Sequence, residues 1–382
     1  MAMSPSSLKQ EAHPTHPTLR WTSVDIDKLK LDDTNQAPVI ESDMARPMSP
    51  DLDVWDSWPL ADPAGKPVRW RDGELWFALA VPREDDPEER HHKARIHHFH
   101  RVADRFVHLG QTLPEGHTPG TREWSGSARY EDGQVTLYLT VAGRAGDSTT
   151  TFVQRIFSTS ASLDPDGDFG IWSPAVECVT ADGLHYRPAD QLVGEPGKIK
   201  ALRDPAHFRD ADGTNYLLFT GSSAAQPGSH DGVIGLAVED EQGKYRTLPP
   251  VINAGDVNNE LERPHIVEHG GLLYLFWSTQ RGVFAPGIVA PTGLYGAVAS
   301  SIAGPWQLLN GTGLVLSNPA DAPTQCYSWW VLPDLSVASF VDYWGPADES
   351  RPEIETRRAR FGGTFAPFVQ IAVEGDHSWL VR

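Results

Sequence analysis

Five apolar runs of strong β-strand character recur along the chain at intervals of roughly 60–80 residues. Each run follows a turn that contains Gly, Asp or Pro, and each turn follows a short polar motif. Strands and turns alternate from Val54 to the end of the chain, and no apolar stripe at helical spacing is longer than two turns. The five runs are residues 74–80, 135–140, 216–220, 273–277 and 337–341.

A repeated unit made only of strands and turns is typical of a propeller blade. The sequence therefore predicts an all-β protein, a single-domain five-bladed β-propeller formed by residues 18–382, which begins with a short helix in residues 22–33. Residues 1–17 are polar and contain several prolines, so they are expected to form a disordered tail. No polar motif follows the β-type run 365–373, and we expect the residues before Asp56 or after Phe365 to complete the closure of the ring.

The polar motifs gain meaning from this fold, because the innermost strands of a propeller line one central channel. Motifs that are distant in sequence would then meet in one funnel-shaped site. The five motifs are Trp55-Asp56, Trp124-Ser125, Arg203-Asp204, Glu260 to Arg263, and Tyr327-Ser328.

The balance of charge narrows the ligands that such a channel could bind. The formal net charge is −19, which disfavours the phosphate backbone of nucleic acids and the surface of anionic membranes. No segment approaches the roughly 18 consecutive apolar residues of a membrane span. A neutral or cationic small molecule, or a carbohydrate, is a ligand class that the charge does not disfavour. Residues 1–17 contain no apolar signal segment, so we expect a cytoplasmic protein, with export by a leaderless route as the alternative.

Cysteine and histidine give little sign of a metal site. Cys178 and Cys326 are the two cysteines, no Cys-x-x-Cys pair exists, and two reduced thiols are expected rather than one disulfide. Five histidines cluster between His91 and His100, and His98 and His100 would share one face of a strand. A third ligand at suitable spacing is not apparent, so we interpret this cluster as a solvated strand.

Three of the motifs carry a carboxylate, and each carboxylate has an aromatic or basic neighbour. Indole faces stack on the C–H faces of sugar rings, while arginines and carboxylates bind sugar hydroxyls. Two further carboxylates can divide the work of cleaving a glycosidic bond. Three carboxylates in one cavity with such neighbours indicate a sugar-cleaving site. The carboxylates are Asp56, Asp204 and Glu262.

The surroundings of these carboxylates suggest their roles. Glu262 is the best-placed acid, because Glu260 lies two residues away and Asp56 lies across the channel, and neighbouring carboxylates raise the pKa of one member of such a group. Asp56, bracketed by tryptophans, is the candidate nucleophile. A separation of about 5–5.5 Å between the two carboxyl groups would indicate a retaining mechanism through a covalent glycosyl-enzyme.

Beyond residue 50 the chain resembles glycoside hydrolase family 68, the levansucrases, inulosucrases and related β-fructofuranosidases. Each motif is weak alone, but all of them occur in the order of the family. The matching segments are VWDSWPL at 54–60, EWSG at 123–126, LRDP at 202–205, ERPH at 262–265, YLF at 274–276, LNGTGLVL at 309–316, YS at 327–328 and GGTFAP at 362–367.

The resemblance implies a five-bladed propeller that acts on sucrose. Asp56 matches the nucleophile that becomes fructosylated, Glu262 the general acid/base, and Asp204 the stabiliser of the transition state. Arg360 corresponds to an arginine on the acceptor side. The positions that match fructosyl-pocket residues are Trp55, Trp124, Ser125 and Arg203; those that match residues placing the glucosyl unit or supporting the acid are Glu260, Arg263 and Tyr327.

Two departures from the family pattern change what is expected. Gln280 stands where the family usually has Arg or His, a position implicated in the choice between sugar and water as acceptor. Asn259 stands where members with a structural calcium carry Asp, so no metal is predicted, and no cofactor is implied.

The expected function is a retaining, levansucrase-like β-fructosyltransferase that transfers fructose from sucrose to sugar acceptors or water. A mainly hydrolytic β-fructofuranosidase is the alternative, and a propeller that binds sugar without catalysis is a more remote one. Trp329 and Trp330 are read either as an acceptor platform or as core.

Overall fold

In the computed structural model, which describes residues 17–164, 168–194, 197–345 and 352–382, the chain forms five successive antiparallel blades, the first two of which are joined in one nine-stranded sheet. The first strand of each blade lies beside the first strand of the next, and that of the fifth lies beside that of the first, so the ring closes. This arrangement is a five-bladed β-propeller, as predicted. A short parallel pairing of Leu60 with Ala128 also joins the first two blades.

The strands follow the order of the chain around the ring. An N-terminal strand is β1 (Leu19–Arg20), and blade one contains β2 (Leu52–Ala61), β3 (Arg69–Trp70), β4 (Gly73–Pro82), β5 (Arg95–Val102) and β6 (Arg105–Gln111). Blade two contains β7 (Arg122–Glu131), β8 (Gln134–Ala142), β9 (Gln154–Ser162) and β10 (Val176–Val179). Blade three contains β11 (Leu202–Arg209), β12 (Asn215–Ser222), β13 (Gly232–Glu239) and β14 (Tyr245–Asn253).

The remaining two blades are built in the same way. Blade four contains β15 (Glu262–His269), β16 (Leu272–Thr279), β17 (Gly293–Ala299), β18 (Gln307–Leu308) and β19 (Leu314–Ser317). Blade five contains β20 (Cys326–Val331), β21 (Ser336–Tyr343), β22 (Phe361–Phe365), β23 (Val369–Glu374) and β24 (His377–Val381). The helices are α1 (Ser23–Ile26), α2 (Arg90–Lys93) and α3 (Glu353–Arg360), with single 3₁₀ turns at Pro87–Glu89, Arg281–Val283 and Leu309–Gly311.

Every innermost strand is bulged at its polar motif. The pairing with the second strand shifts after Trp55, Trp124, Arg203, Glu262 and Tyr327. Four residues that follow these positions have left-handed backbone conformations that non-glycine residues rarely adopt: Asp56 (φ 48°), Asp204 (56°), Arg263 (53°) and Ser328 (60°). A bulge bends the strand and re-aims its side chains, and such strain is typical of functional sites.

Buried hydroxyl groups fix these bulges to the neighbouring blade. The Thr140 hydroxyl on β8 accepts a hydrogen bond from the Asp204 amide of blade three (2.8 Å). Ser278 on β16 does the same for the Trp329 amide of blade five (3.0 Å). Because both hydroxyls are buried, these bonds satisfy backbone donors that the bulges remove from their own sheets.

The two ends of the chain contact different parts of the ring. The residues after Phe365 complete blade five as β23 and β24, as expected. The N-terminal segment instead pairs β1 with β14 of blade three and bridges Gln36 to Ser317 of blade four. Blades one and five meet through side chains: the rings of Phe106 and Phe365 stack at 3.7 Å.

Several local predictions need correction. The helix expected in residues 22–33 begins where predicted, with the Asp25 carboxylate accepting from the Thr22 amide (3.0 Å), but it ends at Ile26, its only buried residue. Helix α3 departs from the alternation of strands and turns predicted from Val54 onward. The run 365–373 is two strands, because residues 366–368, with a proline at 367, interrupt it.

The other sequence expectations fare as follows. Cys178 and Cys326 are both free, as expected. Nearly all of the tail predicted for residues 1–17 lies outside the described residues. Within those residues, no helix is both long enough and apolar enough to span a bilayer.

Candidate active site

A cavity of about 280 Å³ opens at the centre of the propeller, and the three predicted carboxylates line it together. Seven of the predicted binding residues line it as well: Trp55, Trp124, Ser125, Arg203, Glu260, Gln280 and Tyr327. The remaining lining residues are Leu79, Glu88, Arg90, His91, Gly197, Ile199, Thr324, Phe340, Asp342 and Tyr343.

The repeated bulge explains how the innermost strands supply this cavity. The residue before the bulge lines the cavity in all five blades: Trp55, Trp124, Arg203, Glu262 and Tyr327. The residue at the bulge does so in the first three blades only: Asp56, Ser125 and Asp204. The nucleophile candidate and the acid candidate therefore occupy different positions of the repeat.

Asp56 is held by its neighbour in blade two. The Ser125 hydroxyl donates to Oδ2 of Asp56 at 2.5 Å. Trp55 and Trp124 are buried on either side of this pair in the cavity wall. The carboxylate thus has a fixed orientation beside two indole rings, as a nucleophile in a sugar pocket requires.

Arg203 joins the other carboxylates into one network. Its Nη2 donates to Glu262 Oε1 (2.9 Å) and lies 3.2 Å from Glu260 Oε2, while its Nε lies 3.6 Å from Asp204 Oδ2. The Tyr327 hydroxyl donates to Oε2 of Glu262. Both oxygens of Glu262 are therefore positioned by neighbours from different blades.

Burial and neighbouring carboxylates raise the pKa values of two carboxyl groups in this network. Burial is the largest cause that raises the pKa of Asp204 to about 7, and the nearby Glu262 and Asp56 add to it, against the opposing charge of Arg203. Burial and Glu262 likewise raise the pKa of Glu260 to about 7. The site can therefore hold a proton near neutral pH, which acid catalysis of glycosidic cleavage needs.

Two predicted binding residues lie behind the cavity wall rather than in it. Arg263 is buried, donates to Ser328 Oγ (2.9 Å) and to the Ser57 carbonyl (2.8 Å), and its amide supports Asp204 Oδ2 (3.3 Å). Of the two roles that the resemblance implies, placing the glucosyl unit or supporting the acid, these contacts fit a supporting role. The strand position explains this, because Arg263 stands at the bulge, where blades four and five point away from the cavity.

Arg360 also stands outside the cavity lining. Its guanidinium donates to the Gly345 carbonyl (3.2 Å), the Thr324 hydroxyl (3.4 Å) and the Tyr343 carbonyl (3.4 Å). Thr324 and Tyr343 do line the cavity, so Arg360 contacts residues of its wall.

Trp329, Trp330 and most of the clustered histidines make structural contacts. Trp329 is buried and Trp330 stacks on His265 at 4.3 Å; neither lines the cavity, so the interpretation as core is the correct one. His97 and His108 bond to each other (2.8 Å) at the edge of blade one. Among the described residues, no group of three or more His, Cys, Asp or Glu could hold a metal ion.

Sequence reasoning missed a set of polar residues that come from outside the motifs. Glu88, Arg90 and His91 lie between β4 and β5, in a 3₁₀ turn and helix α2, while Asp342 and Tyr343 end the second strand of blade five. The position of Asp342 in its strand could have identified it as a cavity residue. Ser278 pairs with Glu262 and Phe340 pairs with Tyr327, so Gln280 and Asp342 both stand two residues beyond the partner of a motif residue.

Comparison with known proteins decides the family. The sequence model described as levansucrase/invertase matches residues 10–235 and 229–382. The chain belongs to the levansucrase/invertase family. It is 33% identical to the levansucrase of Erwinia amylovora, over 96% of this chain and 94% of that one.

Solved structures of the family have the same fold. The inulosucrase of Halalkalicoccus jeotgali, solved with kestose bound, is 33% identical with a TM-score of 0.86 over 95% of each chain. The catalytic domain of the Microbacterium saccharophilum β-fructofuranosidase is 25% identical with a TM-score of 0.82, over 96% of this chain and 91% of that one.

Asn259, a position at which the chain departs from the family pattern, is held by a lysine. The Lys200 ammonium donates to Asn259 Oδ1 (2.8 Å), Asp231 Oδ1 (2.7 Å) and the Ser229 carbonyl (3.0 Å). Asn259 directly precedes Glu260, which lines the cavity. Lys200 therefore links the loop before β13 to the segment that carries this carboxyl group. A positive charge supplied by the chain itself balances the buried Asp231 here.

We predict that replacing Lys200 with Met lowers the free energy of unfolding by about 3 kcal/mol, because the fully buried Asp231 would lose a largely buried cation and keep the half-exposed Arg187 and the Gly228 amide as partners. Urea unfolding followed by tryptophan fluorescence measures this change. Lys244→Met is the matched control, since Lys244 is exposed on the surface. Equal urea midpoints for both variants would show that the bonds of Lys200 do not stabilise the fold.

Proposed function

We propose that this protein is a retaining β-fructosyltransferase that cleaves sucrose. The observation that carries the proposal is that Asp56, Asp204 and Glu262 line one cavity in a member of the levansucrase/invertase family. Relatives named levansucrase and inulosucrase, the latter with kestose bound, support a fructosyl substrate.

The first half of the reaction breaks the glycosidic bond. Glu262 donates a proton to the glycosidic oxygen and glucose leaves, while Asp56 attacks the anomeric carbon of the fructosyl unit to form a covalent ester. Ser125 keeps the Asp56 carboxylate oriented for this attack. Asp204, anchored by the Thr220 hydroxyl (2.9 Å), binds fructosyl hydroxyls as positive charge develops on the ring.

The second half regenerates the enzyme. Glu262, now a carboxylate, removes a proton from the hydroxyl of an incoming sugar or from water, and that oxygen attacks the ester. Arg203 and Tyr327 hold Glu262 in both halves, so the same carboxyl group can serve as acid and then as base. Incubation with sucrose, followed by quantification of glucose, fructose and oligosaccharides, tests the function; without glucose release it is rejected.

Hydrolysis in place of transfer is a second candidate that one observation favours. Gln280, which lines the cavity, stands where the family usually has a cation, and a neutral amide binds an incoming sugar differently. At high sucrose concentration, equal amounts of free glucose and fructose indicate hydrolysis, whereas an excess of glucose indicates transfer.

We predict that Gln280→His raises the share of transfer, because an imidazole that can be protonated offers a stronger donor to sugar hydroxyls. The expected readout is a glucose-to-fructose ratio raised by about two-fold or more at high sucrose. Gln242→His, on an exposed turn, is the control. An unchanged ratio would mean that position 280 does not select the acceptor.

A further inference from the structure

A buried histidine joins the innermost strands of blades four and five just beyond their bulges. His265 is the residue of β15 at which regular pairing with β16 resumes, and Trp330 is the equivalent residue of β20. The two rings stack with their centroids 4.3 Å apart and an angle of 8° between their planes. Only 3% of His265 is exposed. The imidazole is therefore packed against the neighbouring blade, and it does not line the central cavity.

Both ring nitrogens of His265 are bonded to the main chain. Nδ1 lies 2.9 Å from the Arg263 carbonyl, and Nε2 lies 2.8 Å from the Val331 amide. A carbonyl only accepts and an amide N–H only donates, so the proton is on Nδ1 and the lone pair is on Nε2. Arg263 and Val331 are themselves buried. The histidine thus satisfies two buried main-chain groups, one in each blade.

The charge state of His265 suits this bridge. Burial is the largest cause that lowers the pKa of His265 to about 3, and the nearby Arg263 guanidinium adds to it, against the hydrogen bond to the Arg263 carbonyl. The ring is therefore neutral near neutral pH, and Nε2 keeps the lone pair that accepts from Val331. An imidazolium would instead set an Nε2–H against the Val331 N–H.

The two main-chain groups that the histidine binds are close in sequence to the acid candidate and its partner. Arg263 directly follows Glu262. Val331 lies four residues after Tyr327, whose hydroxyl donates to Glu262. Because Arg263 has a left-handed backbone (φ 53°), its carbonyl needs a partner that a regular strand would not supply. The bridge therefore connects the bulge that carries Glu262 to the strand that carries Tyr327.

We propose that His265 is a positioning residue that keeps the Glu262 carboxyl group and the Tyr327 hydroxyl in contact for protonation of the glycosidic oxygen. It touches no substrate and acts only through the main chain of the two blades. A displacement of about 1 Å in a reacting group can cost about 10²-fold in rate, so loss of the bridge should slow the step that needs the acid. The proposal rests on the proposed function.

The test compares a substrate that needs the acid with one that does not. His265→Asn keeps a donor near the Nδ1 position but has no atom that reaches Val331, whereas His265→Gln can place an acceptor near the Nε2 position. The kcat for glucose release from sucrose is compared with the rate of the fluoride burst from β-fructofuranosyl fluoride, whose leaving group needs no proton. His269→Asn, exposed on the same strand β15, is the control that should behave as the unsubstituted enzyme.

We expect His265→Asn to lower kcat with sucrose by about 10- to 100-fold and to change the rate of the fluoride burst by less than about three-fold. The reason for the difference is that Asp56 is held by Ser125 of blade two and not by this bridge. His265→Gln should lose less activity with sucrose than His265→Asn, because it can restore the acceptor for Val331.

Several outcomes would overturn the positioning role. An equal loss with both substrates would show that the histidine supports the fold in general, and so would failure of both variants to fold, judged by circular dichroism. No loss with sucrose, or a loss in His265→Gln as large as in His265→Asn, would exclude the bridge to Val331. In all these cases the unsubstituted enzyme and His269→Asn still release glucose from sucrose; if they release none, it is the proposed function that fails.

Discussion

Replacing Asp56 with Asn is expected to lower kcat for glucose release from sucrose by at least ~10⁴-fold, because the amide cannot form the fructosyl ester. The side chain keeps its size, and its oxygen can still accept from the Ser125 hydroxyl, so the fold should persist. Glucose release is measured under saturating sucrose with a coupled assay. Circular dichroism confirms that the variant is folded.

Asp51→Asn is the matched control for this prediction, since Asp51 is exposed one residue before β2. Its activity should equal that of the unsubstituted enzyme. A residual activity of Asp56→Asn within ten-fold of the control would exclude a covalent intermediate on Asp56. In that case another carboxylate of the cavity would have to act as the nucleophile.

The repeat in the sequence was enough to predict the propeller and many of the polar residues that line its central cavity. Strand propensity and turn chemistry are local properties, so five repeats of them identify five blades without tertiary information. The channel then follows from the fold, because each blade brings its first strand to the centre. That is why Asp56, Asp204 and Glu262 could be placed together although they are far apart in the chain.

What could not be predicted depends on the local direction of side chains. A motif read as a string does not show that the chain bulges there, and the bulge sends Glu262 into the cavity while Arg263 goes behind it. The left-handed backbone at Asp56 and Asp204 is likewise set by tertiary contacts, such as the bond from the Asp204 amide to Thr140, and not by propensity.

The segments outside the repeat were the hardest to interpret. Arg90 and His91 reach the cavity from a short helix after the second strand of blade one, where insertions follow no period. Helix α3 is polar and has no buried residue, so no apolar stripe in the sequence predicts it. Its position depends instead on ion pairs with blade one, including Arg358 with Asp53 (2.6 Å) and Arg357 with Asp86 (2.6 Å).

Glu262→Gln is expected to slow glucose release from sucrose by about 10²- to 10⁴-fold, because the amide cannot protonate the glycosidic oxygen. A donor whose leaving group needs no proton separates this defect from loss of the nucleophile. With β-fructofuranosyl fluoride, Glu262→Gln should release a burst of fluoride and accumulate the fructosyl-enzyme, since the second half also lacks its base. Stopped assays with a fluoride electrode and mass spectrometry of the intact protein measure both.

Glu268→Gln is the matched control, because Glu268 is exposed on the same strand β15. Asp56→Asn provides the opposite pattern, with neither a burst nor a covalent adduct from the fluoride. The contrast follows from the geometry: Arg203 and Tyr327 hold the Glu262 carboxyl group, whereas Ser125 holds that of Asp56. If Glu262→Gln gave no burst of fluoride, loss of the proton donor alone would not explain its defect, and Glu260 and Asp204, two cavity carboxyls with raised pKa values, would be the next candidates for the acid.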